Sequence, residues 1–311
     1  MTDYQPLISV VIASYNHEEY IGETIASIWR QRYPSIEIVI VDDCSPDGSW
    51  ALLQDLRARS PLPMRIARNS QNMGSAATLN AALELANGEL IAIFASDDLF
   101  AEDRFSSAVA LFADQPALQI VYGNGISFTA DARNRSVHKP WVKTLLDKEP
   151  AEIARYLYTH VSPLFLQTTL MRRELIEQVG GFDPQLLADD WLLNSRIFSY
   201  LTGREQFAYL DEVMFLYRLH PHNVHRDSGR QHRLKLEFVE KHTPDELKPE
   251  AFSNIHYLLA RSDLKSLKFA ESWRHYRLGQ QHKFQWRHAQ FPWSWVRRWL
   301  RTRLLNLPVK S

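Results

Sequence analysis

Runs of β-branched and aliphatic residues alternate with helical patterns through the first hundred positions. Residues 7–13 (LISVVIA) and 36–41 (IEIVIV) are apolar but for Ser9 and Glu37, the mark of strands buried on both faces. Between them, Ile21, Ile25, Ile28 and Trp29 recur at helical spacing over residues 18–30. A turn-rich stretch at 42–49 leads into a helix carrying Trp50, Leu53 and Leu56. Residues 64–67 predict a short strand, 75–86 a helix closed by Asn87-Gly88, and 89–95 a third long strand. This βαβ succession predicts an α/β fold, a doubly wound and mostly parallel sheet covered by helices. Ligands of such a sheet collect beyond the carboxyl ends of the strands.

Further along, the pattern thins. Residues 105–112 predict a helix and 119–122 a strand, whereas 129–148 mix charge, Pro140 and Trp141 without period and predict a long loop. Helices are expected near 151–158, at 173–179 before Gly180-Gly181, and at 190–201, with a strand near 166–172. From about residue 226 the chain looks mainly helical. The expected division is therefore an α/β domain over 1–225 and a helical extension over 226–311.

Composition adds three points. With 311 residues, 45% of them hydrophobic, the chain can bury a large core. Its single cysteine, Cys44, excludes an internal disulfide framework and fits a reducing compartment, most simply the cytosol. Met1-Thr2-Asp3-Tyr4 leads into the first strand without a basic segment and apolar stretch, so no secretory signal is expected. The longest apolar runs, such as 90–95, fall far short of the roughly 20 residues that cross a bilayer.

The net charge of zero conceals an asymmetry. From Arg261 onward twelve basic residues stand against Asp263 and Glu271, a net of +10, which leaves −10 on residues 1–260. An acidic body with a basic tail divides labour between carboxylate chemistry and attraction to an anionic surface.

Polar residues cluster where the predicted strands end: Ala13-Ser14-Tyr15-Asn16, then Val41-Asp42-Asp43-Cys44-Ser45, then Ala95-Ser96-Asp97-Asp98. Two adjacent aspartates at such a place are costly unless a cation or hydrogen-bond donors compensate them. Hard oxygen ligands suit Mg²⁺ or Mn²⁺ on a diphosphate. Taken alone, an Asp-Asp pair is common in turns and helix caps.

Five ordered blocks change its weight. Residues 9–16 (SVVIASYN), 40–49 (IVDDCSPDGS), the stretch from Asn72-Met73-Gly74 to Leu79-Asn80, then Gly88-Glu89 with 94–98 (FASDD), and Gly180-Gly181-Phe182-Asp183 with Asp189-Asp190-Trp191 all resemble the family 2 glycosyltransferases of GT-A fold, in family order. The resemblance spans roughly residues 5–225. It implies an inverting transfer of a sugar from a nucleoside-diphosphate donor, with a divalent cation, Mn²⁺ or Mg²⁺, as cofactor.

Roles at matching positions follow from the resemblance. Ala13, Tyr15 and Asp43 would hold the nucleobase, Tyr15 by stacking and Asp43 by accepting an imino N–H, which favours a UDP- or dTDP-sugar. Tyr15 capping the sheet and Asp43 capping the next helix are the plainer alternatives. Asn72 and Gly74 would shape a loop near the donor, while Asn80 equally suits a helix interior. Asp97 and Asp98 match the metal motif, with Ala95 where many members carry an aspartate. Asp98 is the favoured metal ligand and Asp97 is assigned to ribose or metal. Asp190 is the expected base for the acceptor hydroxyl, with Asp189 in the glutamate position; acids at a helix start also suit its dipole. Tyr217-Arg218-Leu219-His220 and Asn223 resemble a returning block in which His220 would touch metal or pyrophosphate and Arg218 a phosphate.

As a helix, residues 295–305 would put Trp295, Val296, Trp299, Leu300 and Leu304 on one arc and Arg297, Arg298 and Arg301 on another. That arrangement favours an anionic membrane surface over docking on the protein. No nucleic-acid module accompanies it, and nucleic acid is not expected as a partner. The setting implied by the resemblance is bacterial polysaccharide or lipopolysaccharide assembly on a lipid-linked or cell-surface glycan, at the inner face of the cytoplasmic membrane. A nucleotidyltransferase and a non-catalytic sugar-nucleotide or membrane-binding module are the competing readings. Residues 14–18 (SYNHE) lack the glycine- and basic-rich phosphate loop of the first, and the retained Asp97, Asp98 and Asp190 oppose the second.

Overall fold

The three mainly apolar runs form the middle of the sheet, where helices cover both faces; Ser9 of the first and Glu37 of the second are buried there as well, and Ser9 Oγ donates to Glu37 Oε1 at 2.6 Å. The computed structural model describes residues 4–129, 133–186, 189–220 and 228–285, with 288, 291, 293, 295, 296 and 299. It divides into two units, Met1–Ala154 with Ser162–Arg226, and Arg155–Val161 with Asp227–Ser311.

The first unit opens with β1 (Ile8–Ser14), α1 (Ile21–Trp29), β2 (Ile36–Asp42), α2 (Ser49–Ala58), β3 (Met64–Arg68), α3 (Ser75–Leu85) and β4 (Leu90–Ala95). There follow β5 (Leu99–Phe100), α4 (Ser106–Asp114), β6 (Ile120–Phe128), β7 (Arg133–Ser136), α5 (Pro140–Leu146) and α6 (Pro150–Thr159), whose last residues belong to the second unit. Then come β8 (Thr169–Arg172), α7 (Arg173–Gln178), α8 (Asp189–Tyr200) and β9 (Phe207–Arg218).

Among the described residues nine strands make one sheet, ordered β3-β2-β1-β4-β8-β6-β9-β5, with β7 on β6. The stretch from β3 to β4 is parallel. There β1 runs in register with both neighbours, Ser14 opposite Asp42 and Ala13 opposite Ala95, so the three polar clusters leave the sheet at one edge. The other half is mixed: β8 is antiparallel to β4 and β6, β9 is parallel to β6, and β5 is antiparallel to β9.

Helix α1 anchors this edge. Its Ile21, Ile25 and Ile28 are wholly buried, each worth roughly 2 kcal/mol of apolar transfer. Its buried hydroxyls reach across to the next segment: Thr24 Oγ1 donates to the Asp98 carbonyl at 2.8 Å, and Ser27 Oγ accepts the Phe100 N–H at 2.9 Å.

The loop expected over 129–148 is in part regular. Residues 133–136 pair with β6, and Pro140 begins a helix that buries Val142, Leu145 and Leu146. Proline suits the first helical turn, where its missing N–H is no loss.

In the second unit, α9 (Ser228–His242), α10 (Lys248–Lys265) and α11 (Phe269–His282) bury Phe238, Val239, Ile255, Leu259 and Ala260. The aromatic arc of the tail is partly occupied here. Trp295 donates from Nε1 to the Phe269 carbonyl at 3.2 Å and packs on Phe269 and Trp273, while Phe291 stacks on Tyr276. Trp293 is 69% exposed and Trp299 36%. Arg297, Arg298, Leu300 and residues 301–311 lie outside the described residues, as does Asn223. No helix among the described residues is long and apolar enough to cross a membrane.

Candidate active site

The aligned ends of β1, β2 and β4 present two adjoining halves, one built on Asp43 and one on Asp97-Asp98. Asp43, 3% exposed, follows β2 and receives three donors: Asn69 Nδ2 at 2.8 Å and the Met73 N–H at 2.7 Å on Oδ1, and the Gly74 N–H at 2.8 Å on Oδ2. A carboxylate offers about four acceptor positions, so one is left. The chain at Gly74 has φ +85°, a conformation glycine takes without penalty, and this aims its N–H at the carboxylate. Asp43 thus shapes the loop through Asn72, which is exposed. Tyr15 is 45% exposed just past β1, and Ala13 is half-buried within it. Neighbouring Asp42 is wholly buried and accepts from Arg68 Nε at 3.1 Å and the Ser45 N–H at 2.9 Å.

Asn80 does not face this half. Its amide spans the backbone of Phe182, accepting the N–H at 3.0 Å and donating to the carbonyl at 2.8 Å, and so ties α3 to the Gly180-Gly181 turn.

In the second half, pairing of Leu99 with Leu216 and Phe100 with Phe215 sets the end of β9 beside Asp97-Asp98. Arg218 grips the pair from its backbone and side chain together: its N–H donates to Asp98 Oδ1 at 2.8 Å and its Nε to the Asp97 carbonyl at 2.8 Å. The guanidinium also pairs with Glu23 at 2.6 Å and lies over the rings of Tyr20 and Phe128. In the structure this cation is thus a brace of the acidic turn.

His220, 6% exposed, places Nε2 2.9 Å from Asp97 Oδ2, its ring against Tyr20. His17 Nδ1 lies 2.7 Å from Ser96 Oγ, which turns its Nε2 to 3.9 Å from the same Asp97 oxygen. The three side chains offer ligand atoms within 4.8 Å of one another. The sequence pattern favours Asp98 for this role, yet it is Asp97 that meets the imidazoles. Asp98 is wholly buried, Oδ1 takes the Arg218 N–H, and Oδ2 has no hydrogen-bond partner among the described residues. Burial, then the charge of Asp97, push its carboxyl well above the usual carboxylate range. Sequence reasoning also misses His17, one of twelve histidines, and Glu23. The only local signal for His17 is its place directly after Asn16.

Asp190 is the second residue of α8 and is half-buried; its carbonyl accepts Asn194 Nδ2 at 2.7 Å. The side chain of Asp189 lies outside the described residues. Tyr217 registers how the acids converge: burial first, then the charges of Asp98, Asp97 and Asp190, raise its phenol above the ordinary value.

Comparison with known proteins shows the family and the fold. The family model described as "Glycosyl transferase family 2" matches residues 9–180. The glycosyltransferase TuaG of Bacillus subtilis is 35% identical over 115 residues, covering 37% of this chain and 45% of TuaG. The poly(ribitol-phosphate) β-N-acetylglucosaminyltransferase TarS of Staphylococcus aureus is 25% identical over 258 residues, covering 75% of this chain and 44% of TarS. The chain thus spans less than half of either relative. The crystal structure of TarS 1–349 with UDP-GlcNAc superposes with a TM-score of 0.57 at 19% identity, over 88% of this chain and 90% of that one. The mannosyltransferase PcManGT of Pyrobaculum calidifontis, in complex with GDP-Man and Mn²⁺, gives 0.61 at 20% identity, over 98% and 89%. These structural likenesses establish the GT-A fold.

Proposed function

This chain belongs to glycosyl transferase family 2, and on that premise we propose that it moves a sugar, with inversion, from a UDP- or dTDP-sugar to a hydroxyl of a lipid-linked or cell-surface glycan. The observation that carries the proposal is the convergence of two halves at one sheet edge, the exposed ring of Tyr15 with the buried carboxylate of Asp43 and an acidic, histidine-lined turn at Asp97.

In this reading Tyr15 stacks on the base, and the fourth acceptor position of Asp43 takes an imino N–H, a donor that uracil and thymine carry. Asn72 and Gly74 line the donor through the loop that Asp43 orders. Asp97 and His220, with His17 beside them, fit a divalent cation. Two imidazoles and one carboxylate, completed by diphosphate oxygens, suit Mn²⁺ better than the harder Mg²⁺. Such a cation, when bound, neutralises charge on the departing diphosphate. Asp98 and Arg218 hold the turn from behind. Asp190 accepts the proton of the acceptor hydroxyl as that oxygen attacks the anomeric carbon opposite the leaving group.

UDP-GlcNAc in the TarS complex and the poly(ribitol-phosphate) acceptor in that enzyme's name support a uridine donor and a surface-glycan acceptor. The basic tail and exposed Trp293 and Trp299 support a peripheral place on an anionic membrane. Calorimetry with UDP, dTDP and GDP in Mn²⁺ tests the donor; binding of GDP alone would overturn it. Asp190→Asn should lower turnover at least about 100-fold while UDP affinity stays within twofold. Intact turnover would place the base elsewhere.

A further inference from the structure

The helical unit carries a second group of metal-ligating side chains that the transfer reaction does not use. His232 on α9, Asp263 on α10 and His275 on α11 each offer one ligand atom, and these atoms lie within 4.8 Å of one another. Asp263 is 5% exposed, and its Oδ2 sits 3.9 Å from His275 Nε2. No described group donates a hydrogen bond to that carboxylate. A carboxylate so little exposed and without protein donors favours a cation beside it.

From this geometry we infer that His232, Asp263 and His275 form a zinc site that ties the three helices together. Two imidazoles and a carboxylate are borderline ligands of the kind Zn²⁺ takes, with a fourth position left for water. Ligand atoms in a tetrahedral zinc site stand roughly 3.3 Å apart, given bonds of ~2.0 Å, so the group closes on an ion by small side-chain rotations. His275 and Asp263 are nearly there.

The other nitrogen of His275 supports the assignment. Its Nδ1 lies 2.9 Å from Nδ1 of His256, a buried residue of α10. When His275 donates that bond, its Nε2 lone pair is bare and faces Asp263 Oδ2. His256 is thus a positioning residue that sets the tautomer and ring orientation, the usual task of the partner behind a metal-bound histidine. The ligands come from positions 232, 263 and 275, so the ion would close loops between consecutive helices, where chain entropy otherwise opposes packing.

Chelator-stripped full-length protein titrated with Zn²⁺ against a chromophoric chelator tests the site. One equivalent should bind beyond any taken up by the nucleotide-side group, with at least 100-fold loss of that equivalent's affinity in Asp263→Asn and in His232→Ala. The same equivalent should survive His220→Ala, which removes only the nucleotide-side group. His256→Phe should keep the stoichiometry and weaken affinity about 10- to 100-fold. Far-UV circular dichroism checks folding; His232 is only half-buried, so its variant decides if Asp263→Asn does not fold. Absence of zinc binding, binding unaltered by His232→Ala, or loss only in His220→Ala would each overturn the assignment.

Discussion

Replacing Asp43 by asparagine alters one atom of a buried carboxylate that three donors share. An amide offers a single oxygen. Turned toward Asn69 and Met73, it sets its NH₂ against the Gly74 N–H; turned the other way, it opposes two donors. The first arrangement costs less. It strands one donor, about 1–3 kcal/mol, and removes the charge assistance from the two remaining bonds, on the order of 1 kcal/mol. At 3% exposure solvent does not make up the difference, so the expected loss is about 2–4 kcal/mol. Urea unfolding at neutral pH, followed by near-UV circular dichroism, reads it as a lower midpoint at unchanged slope. UDP affinity should fall in the same variant, because the loop and the acceptor oxygen are lost together. Stability within about 0.5 kcal/mol of the parent, with UDP affinity unchanged, would refute both roles of this carboxylate.

Gly74→Ala should cost about 1–3 kcal/mol, all of it conformational: φ +85° with ψ 161° is a region essentially reserved for glycine, and an added Cβ meets nothing within 4 Å. The same urea titration measures it. His138 is 2% exposed against the rings of Phe165 and Tyr209, and burial pulls its imidazole from 6.5 down to about 4. Below pH 6.5 the unfolded chain takes up a proton that the folded chain refuses, so stability present above that pH is lost as pH falls toward 4. His138→Phe removes this loss, and its stability relative to the parent should rise by up to about 3 kcal/mol between pH 7.5 and 4; a pH-independent difference would show that the ring is not held neutral. Arg218→Ala should weaken Mn²⁺ binding about 10-fold by freeing the Asp97 turn, as read by electron paramagnetic resonance of the free ion.

Much of the first unit is legible in the chain because its central strands are buried on both faces and need no alternation to be recognised. What escapes is short or depends on distant pairing. Leu99–Phe100 and 133–136 are too brief to carry a period, and Pro140 reads as a breaker although it starts a helix. In the site, Asp43, Asp97 and Asp190 stand out by motif and position. The different surroundings of Asp97 and Asp98 do not, because they rest on where a backbone N–H from residue 218 and the ring of His220 arrive. The pairing of Arg218 with Glu23, 195 positions away, leaves no local trace in the sequence. His17 needs Ser96 to turn its ring. The tail's aromatic arc is plain in the sequence, yet which of its faces meets protein depends on Phe269 and Trp273.

The bond from the Arg218 N–H to Asp98 spans 120 residues, and it imposes an order of assembly during synthesis. When Asp97 and Asp98 leave the ribosome, the segments of β1, β2 and β4 and the loop that Asp43 binds have all been synthesised. The acidic turn then has neither its brace nor His220. A nascent or truncated chain that stops before β9 holds the Asp43 loop and two adjacent carboxylates without their backbone donor, so the motif by which the family is recognised is present long before it is braced.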